Sequence, residues 1–189
     1  GMPPETDGLL PYWLGAWAIQ ITPEWLMAPE MAARLPFMAL LVLTLAATWY
    51  AVYYLASSPG AQPVAFAFGG EAKPSDYARA IADGALLALI ACLGLAQLSH
   101  EATGYLAQLA CTTLIFFAVA TLPYHTVAPA VAVVVGMVGL TLAGAPALAA
   151  LLGAGSIALV ALAQAIPSER RLRWAVMLAI VTVLAAMLA

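Results

Sequence analysis

The sequence predicts an all-α integral membrane protein of about six transmembrane helices, with one short helix lying at the outer membrane interface. Three observations carry that expectation. The first is composition: 65% of the 189 residues are hydrophobic and 8% charged, against about 45–50% and about 25% in a soluble domain. So few charges cannot coat a water-facing surface. The second is a succession of uncharged apolar runs of span length, broken by short Pro- and Gly-containing turns. The third is the lopsided placement of the six basic residues.

Residues 1–34 are expected to form a non-cytoplasmic segment. Within it, residues 9–20 form an interfacial helix, too short to cross a bilayer and too apolar for an ordinary loop. Residues 35–189 are expected to form the bundle, with spans near 35–55, 80–98, 105–122, 127–143, 147–166 and 172–189. The first span, "LPFMALLVLTLAATWYAVYYL", has 21 uncharged residues, enough at about 1.5 Å per residue to cross about 30 Å of hydrocarbon. Trp49, Tyr50, Tyr53 and Tyr54 crowd its end, where amphipathic rings favour the headgroup level. A long polar connection follows, in which Ser75 after Pro74 is the expected N-cap of the next helix. Arg79 and Asp83 share a face of that helix and are expected to pair, with an intramembrane acid facing a cavity as the alternative role for Asp83. "SHEATG", "PYHTVAP", "GAP" and "PSERRLR" separate the remaining spans. Gly136 and Gly139 are read as helix-packing positions. Cys92 and Cys111 fall within spans and are read as small core hydrophobes, not as a disulfide or metal pair.

Six spans alternate sides. Lys73, Arg79, Arg170, Arg171 and Arg173 share one side, and only Arg34 occupies the other, with Glu5, Asp7, Glu24, Glu30 and Glu101. The positive-inside rule makes the basic side cytoplasmic. The N-terminal segment and "SHEATG" are then outside, in the periplasm if the membrane is a bacterial inner membrane. With a net charge of −3 and no clustered cationic face beyond the three arginines, a nucleic-acid partner is excluded.

The stretch "DGLLPYWLGAW" and the later "EMAARLPFMALL" carry a family resemblance. They are similar to the "EKPPLYYWLGA…ARLPS" segment of polytopic glycosyltransferases of GT-C type, the aminoarabinose and dolichyl-phosphate-mannose transferase superfamily. The resemblance covers roughly residues 5–122; the later spans match only as generic helices. It implies transfer of a sugar from a polyprenyl-phosphate donor on the non-cytoplasmic face. The partners implied are the lipid bilayer, the lipid-linked donor and a glycolipid or protein acceptor. No covalently bound cofactor is implied, and no protein metal ligands are assigned, although a divalent metal could bridge donor phosphate to a carboxylate.

The candidate site residues at the outer face are Asp7 and Glu101 as catalytic carboxylates, and Glu5, Tyr12, Trp13 and His100 as donor-binding groups; of these, Tyr12, Trp13 and Glu101 take positions that the resemblance implies. Glycosyl transfer requires a base for the acceptor hydroxyl, which a carboxylate supplies, and positive charge for the departing phosphate. Tyr12, Trp13 and Trp17 would form an apolar aromatic wall. Two departures from the family pattern stand out. No residues correspond to the family's upstream Asp-Glu pair, and Asp7 takes the position of a phosphate-contacting Lys. The acidic start and the apolar end, "AAMLA", lead to the expectation of a fragment of a longer reading frame. Each residue also has a plainer role: the aromatics as interface anchors, Glu101 and His100 as turn residues facing water, His125 as a structural or solvent-facing turn residue. The competing reading for the whole chain is a small, non-enzymatic polytopic membrane protein with a transport or scaffold role.

Overall fold

A computed structural model describes residues 8–23, 25–64, 72–92, 104–163 and 166–188. Among these the structure is all-helical, with no strand: α1 (Leu10–Ile21), α2 (Pro29–Ala32), α3 (Leu35–Ala56), α4 (Pro74–Ala91), α5 (Gly104–Thr121), α6 (Val127–Leu142), α7 (Pro146–Leu162) and α8 (Ser168–Met187), plus a single 3-10 turn at Pro59–Ala61. Proline opens most of them. Pro11, Pro29, Pro36, Pro74 and Pro146 each occupy the first or second helical position, where the missing N–H would have had no intrahelical partner. A helix is present where one was expected at 9–20, as α1, shifted by one residue.

The second, fifth and sixth predicted spans differ from expectation, the fifth, 147–166, being a helix that ends at Leu162 with Ala163 extended. The second predicted span, 80–98, is a helix that starts at Pro74 and ends at Ala91, with Cys92 extended; residues 93–98 lie outside the described residues. Asp76, Arg79 and Asp83 are carried on its exposed face, so their charges do not delay the helix. Ser75 is not the N-cap. Pro74 already sits inside the helix, the cap position is Lys73, and the Ser75 hydroxyl lies 3.5 Å from Asp76 Oδ1. The last helix begins at Ser168 rather than 172 and so draws all three arginines into its first turns.

Helices α3 to α8 run up and down alternately, so that α5 runs parallel to α3 and the ends of both meet at Tyr54 and His125. Residues 93–103, between α4 and α5, lie outside the described part. The order of packing is α4 on α3, α3 on α5, α5 on α6, and then the α7–α8 pair against α6. Helix α5 is the central element and the most buried, with ten buried residues from Gly104 to Thr121. Helix α1 lies across one end of α3, α5 and α6. That α1 end also holds the α6–α7 turn, where Gly8 packs against Ala143 and Gln108 Nε2 donates to the Ala143 carbonyl at 2.8 Å. At the opposite end, Arg170 of α8 meets the α5–α6 turn. The segment 168–173 and the N-terminal helix thus occupy opposite ends, as the alternation of sides requires.

The interior combines many alanines, such as Ala51, Ala78, Ala82, Ala107 and Ala118, with large apolar side chains, of which Phe37, Leu106, Ile115, Met137, Leu140 and Leu178 are fully buried; other large apolar side chains, such as Val42, Leu87, Leu151, Leu159, Ile180 and Leu184, point outward. Glycine sets the closest approaches. A Cβ on Gly136 would stand 2.7 Å from Ile115 Cγ1 and 2.9 Å from the Cys111 carbonyl oxygen, one on Gly139 would strike Cys111 Sγ, and one on Gly153 would strike Thr182. Gly136 and Gly139 are packing positions, as read from the sequence. Buried threonines satisfy their hydroxyls on their own helices: Thr44 on Leu40, Thr121 on Phe117 and Thr141 on Met137, at 2.8, 2.8 and 3.0 Å. No charged side chain is buried among the described residues. The stretch Pro29–Ala56 and helix α5 have the length and composition of membrane spans; α6 and α7 are apolar but shorter.

Candidate functional site

Of the six residues assigned to the donor site, the structure describes two. Glu5, Asp7, His100 and Glu101 lie outside the described residues. Tyr12 and Trp13 are both on α1 and both exposed, at 51% and 42%. Trp13 stacks on Trp17 with ring centroids 6.2 Å apart, one helical turn along. Leu10 and Leu14, next to Trp13 and Trp17 around the α1 axis, roof a recess of about 410 Å³. Leu40 and Leu43 of α3, Leu114 of α5 and Val138 and Leu142 of α6 complete its walls. Gly8 follows Asp7 in the chain and Gly104 opens α5 soon after Glu101, and both lie at this α1 end. Arg34, exposed at the junction of α2 and α3, is the basic residue described there.

The expected Arg79–Asp83 pair is absent. Arg79 pairs with Asp76 at 3.6 Å, and Asp83 Oδ1 accepts a 2.7 Å hydrogen bond from Trp49 Nε1. The indole wins because it approaches from α3 across the helix interface, whereas Arg79 is drawn towards the helix start. Asp83 is exposed. Cys111 is a buried packing residue, as read; Cys92 is exposed at the end of α4, and its thiol donates to the Ala88 carbonyl at 3.4 Å. Cys92 is not a core residue, because the helix ends one residue before it. Among the described residues, no group of three His, Cys, Asp or Glu side chains converges as a metal site would require.

The densest polar constellation lies at the other end. Tyr54 and His125 share a 2.8 Å hydrogen bond between the phenol oxygen and Nε2. The Tyr124 hydroxyl donates to the Tyr54 carbonyl at 3.2 Å. Arg170 Nη2 donates to the His125 carbonyl at 2.8 Å and to Thr126 Oγ1 at 3.2 Å, and Nη1 reaches the Pro123 carbonyl at 3.5 Å. Tyr53 stacks on Trp49, with the ring planes within 5°. These bonds join α3, the α5–α6 turn and α8. The Tyr124 phenol is held above its usual ionisation range, chiefly by burial and further by the Tyr54 phenol beside it. His125 is a structural residue. The aromatic run and "PYHTVAP" were visible in the sequence, but their meeting across 71 positions was not.

The fold is that of a helical bundle that buries both small and large apolar residues and also exposes large apolar side chains, and its two ends differ in charge and chemistry. Searches against known protein families, characterised proteins and solved structures find no match for the chain.

Proposed function

We propose that the chain is an integral membrane bundle whose α1 end serves a polyprenyl-phosphate sugar donor on the non-cytoplasmic side of a bacterial inner membrane. The membrane part of the reading is supported by the large apolar side chains exposed along α3, α4, α6, α7 and α8, among them Val42, Leu87, Val135, Leu151 and Ile180, with Tyr105 and Phe116 exposed on α5. In water, large exposed apolar patches of this kind favour association. In lipid they cost nothing, and close small-residue packing takes over the cohesion. The remaining four helices join the two of span length as spans, with α4 and α8 placing their charged first turns at the basic surface.

The donor part of the reading is supported by the recess beneath α1, which offers an apolar channel for a polyprenyl tail beside exposed Tyr12 and Trp13. In the proposed reaction the acceptor hydroxyl loses its proton to a carboxylate, its oxygen bonds the anomeric carbon, and the sugar–phosphate bond breaks with inversion. Asp7 and Glu101 are the proposed carboxylates, and Glu5 and His100 the proposed donor contacts. Arg34 is the cation that the described residues offer the phosphate. A divalent metal between phosphate and Asp7 would supply the positive charge that a carboxylate cannot. The acceptor is a glycolipid or protein.

The test uses the chain in lipid nanodiscs with a polyprenyl-phosphate sugar. Binding should quench the α1 tryptophans, and the Tyr12→Ala/Trp13→Ala double variant should weaken it about tenfold, the loss of two aromatic contacts. Turnover, where present, should fall in Glu101→Ala. Absence of binding by a folded, membrane-inserted chain would favour the second reading, a non-enzymatic membrane scaffold. That second reading covers a transport or a scaffold role.

A further inference from the structure

The α8 surface at the Arg170 end combines two features that belong to one ligand. The first is a cleft of about 410 Å³ whose lining includes Thr126, Pro167, Glu169, Arg170, Arg173 and Trp174. The second is an apolar groove of about 440 Å³ along the same helix, lined by Leu172, Val176, Met177, Ile180 and Val181. Arg173 and Met177 line both, so the groove leads directly away from the charged cleft. The two cleft arginines are not equivalent. Arg170 spends its donors on the carbonyls of Pro123 and His125 and on Thr126. Arg173, one turn further on and exposed, makes no hydrogen bond or ion pair among the described residues. Glu169 is the one acid lining the cleft, against two arginines, and Arg171 adds a third cation on the same turn.

We propose that this cleft and groove bind one anionic phospholipid of the basic-side leaflet, with its phosphate on Arg173 and an acyl chain along Val176 and Ile180. The occupant follows from the pairing: a free anion would leave the apolar groove unused, and a zwitterionic lipid would gain nothing from the uncompensated arginine. This site rests on the membrane reading above, but not on the sugar-donor reading.

The experiment places the full chain in phosphatidylcholine nanodiscs containing a fixed fraction of chain-brominated phosphatidylglycerol or chain-brominated phosphatidylcholine, and reads tryptophan quenching. Trp174 borders the cleft and reports contact. Brominated phosphatidylglycerol should quench this component at about fivefold lower mole fraction, the effect of one cation near an anionic lipid. Trp174→Phe should remove that component. Arg173→Gln should abolish the preference, and Arg79→Gln, on a cation of α4 outside the cleft, should leave it intact. Equal quenching by the two lipids, or a preference that survives Arg173→Gln, overturns the site. A preference erased by inorganic phosphate but not by chloride at equal ionic strength assigns the cleft to a free anion and also overturns it. A chain that does not incorporate into nanodiscs overturns the membrane reading and this site together, so the two failures are distinct.

Discussion

At the scale of single residues, Gly144 and Tyr124 give the clearest expectations. Gly144 has a φ of 80° and ends α6. Its N–H bonds the Thr141 carbonyl at 3.1 Å and the Ala145 N–H bonds the Leu140 carbonyl at 3.0 Å, the paired closure that needs a left-handed residue. Gly144→Ala should cost about 1–2 kcal/mol, the penalty for an L side chain in that conformation, seen as a lower melting temperature in detergent. Tyr124 gives a pH expectation. Its folded phenol ionises above the ordinary value of about 10, so the folded state holds that proton more tightly than the unfolded chain. The stabilisation is complete below the unfolded value and is lost as pH rises through the raised folded one. Phenolate absorbance should show a late-titrating group that Tyr124→Phe removes, and the variant's melting temperature should fall less steeply above pH of about 10.

Helix contacts depend on what a small residue admits. The α5–α6 contact exists because Gly136 lets the Cys111 backbone and the Ile115 side chain close on it. Gly136→Val should therefore separate the two helices and destabilise the bundle by about 1–3 kcal/mol, the usual cost of overpacking. Gly155, which has open space where a Cβ would stand, should accept Ala without loss. The comparison within one protein isolates packing from helix propensity, because both substitutions relieve a helical glycine. At the other junction, Arg170 ties α8 to the α5–α6 turn through backbone carbonyls. Arg170→Lys keeps the charge but loses the planar fork that reaches three acceptors, so it should recover little of the stability lost in Arg170→Ala. Thermal denaturation of both variants checks this.

For the whole molecule, the separation of the two ends yields a topology prediction. In a background with Cys92 and Cys111 replaced by Ala, Leu9→Cys should react with a membrane-impermeant maleimide added to intact cells. Ser168→Cys should react only after permeabilisation. Both positions are exposed in the fold, so burial does not confound the labelling. Labelling of both from the same side would overturn the opposed ends, and reversed labelling would overturn the orientation assigned by the basic residues.

The amino-acid sequence by itself determined the helical class, the order of the long helices among the described residues, α1 to within one residue, and the alternation that puts residues 168–173 opposite the N-terminal helix. These follow from apolar run length and from proline and glycine punctuation, which act locally. It also identified Gly136 and Gly139 as packing positions, because small residues in apolar helices have few other uses. Only the tertiary structure decided which polar groups meet. Asp83 bonds Trp49 rather than Arg79, and Tyr54 finds His125, because side chains pair with whatever the helix packing brings near, and spacing along one helix cannot rank a partner from another. Helix starts at Pro74 and Ser168 likewise fell earlier than hydropathy placed them, since a helix can carry charge on its exposed face at no cost. For the proposed donor site, the sequence supplied Tyr12 and Trp13 by resemblance; the recess beneath them came from Leu10 and Leu14 meeting α3, α5 and α6, a convergence of four separate helices that no single stretch of sequence encodes.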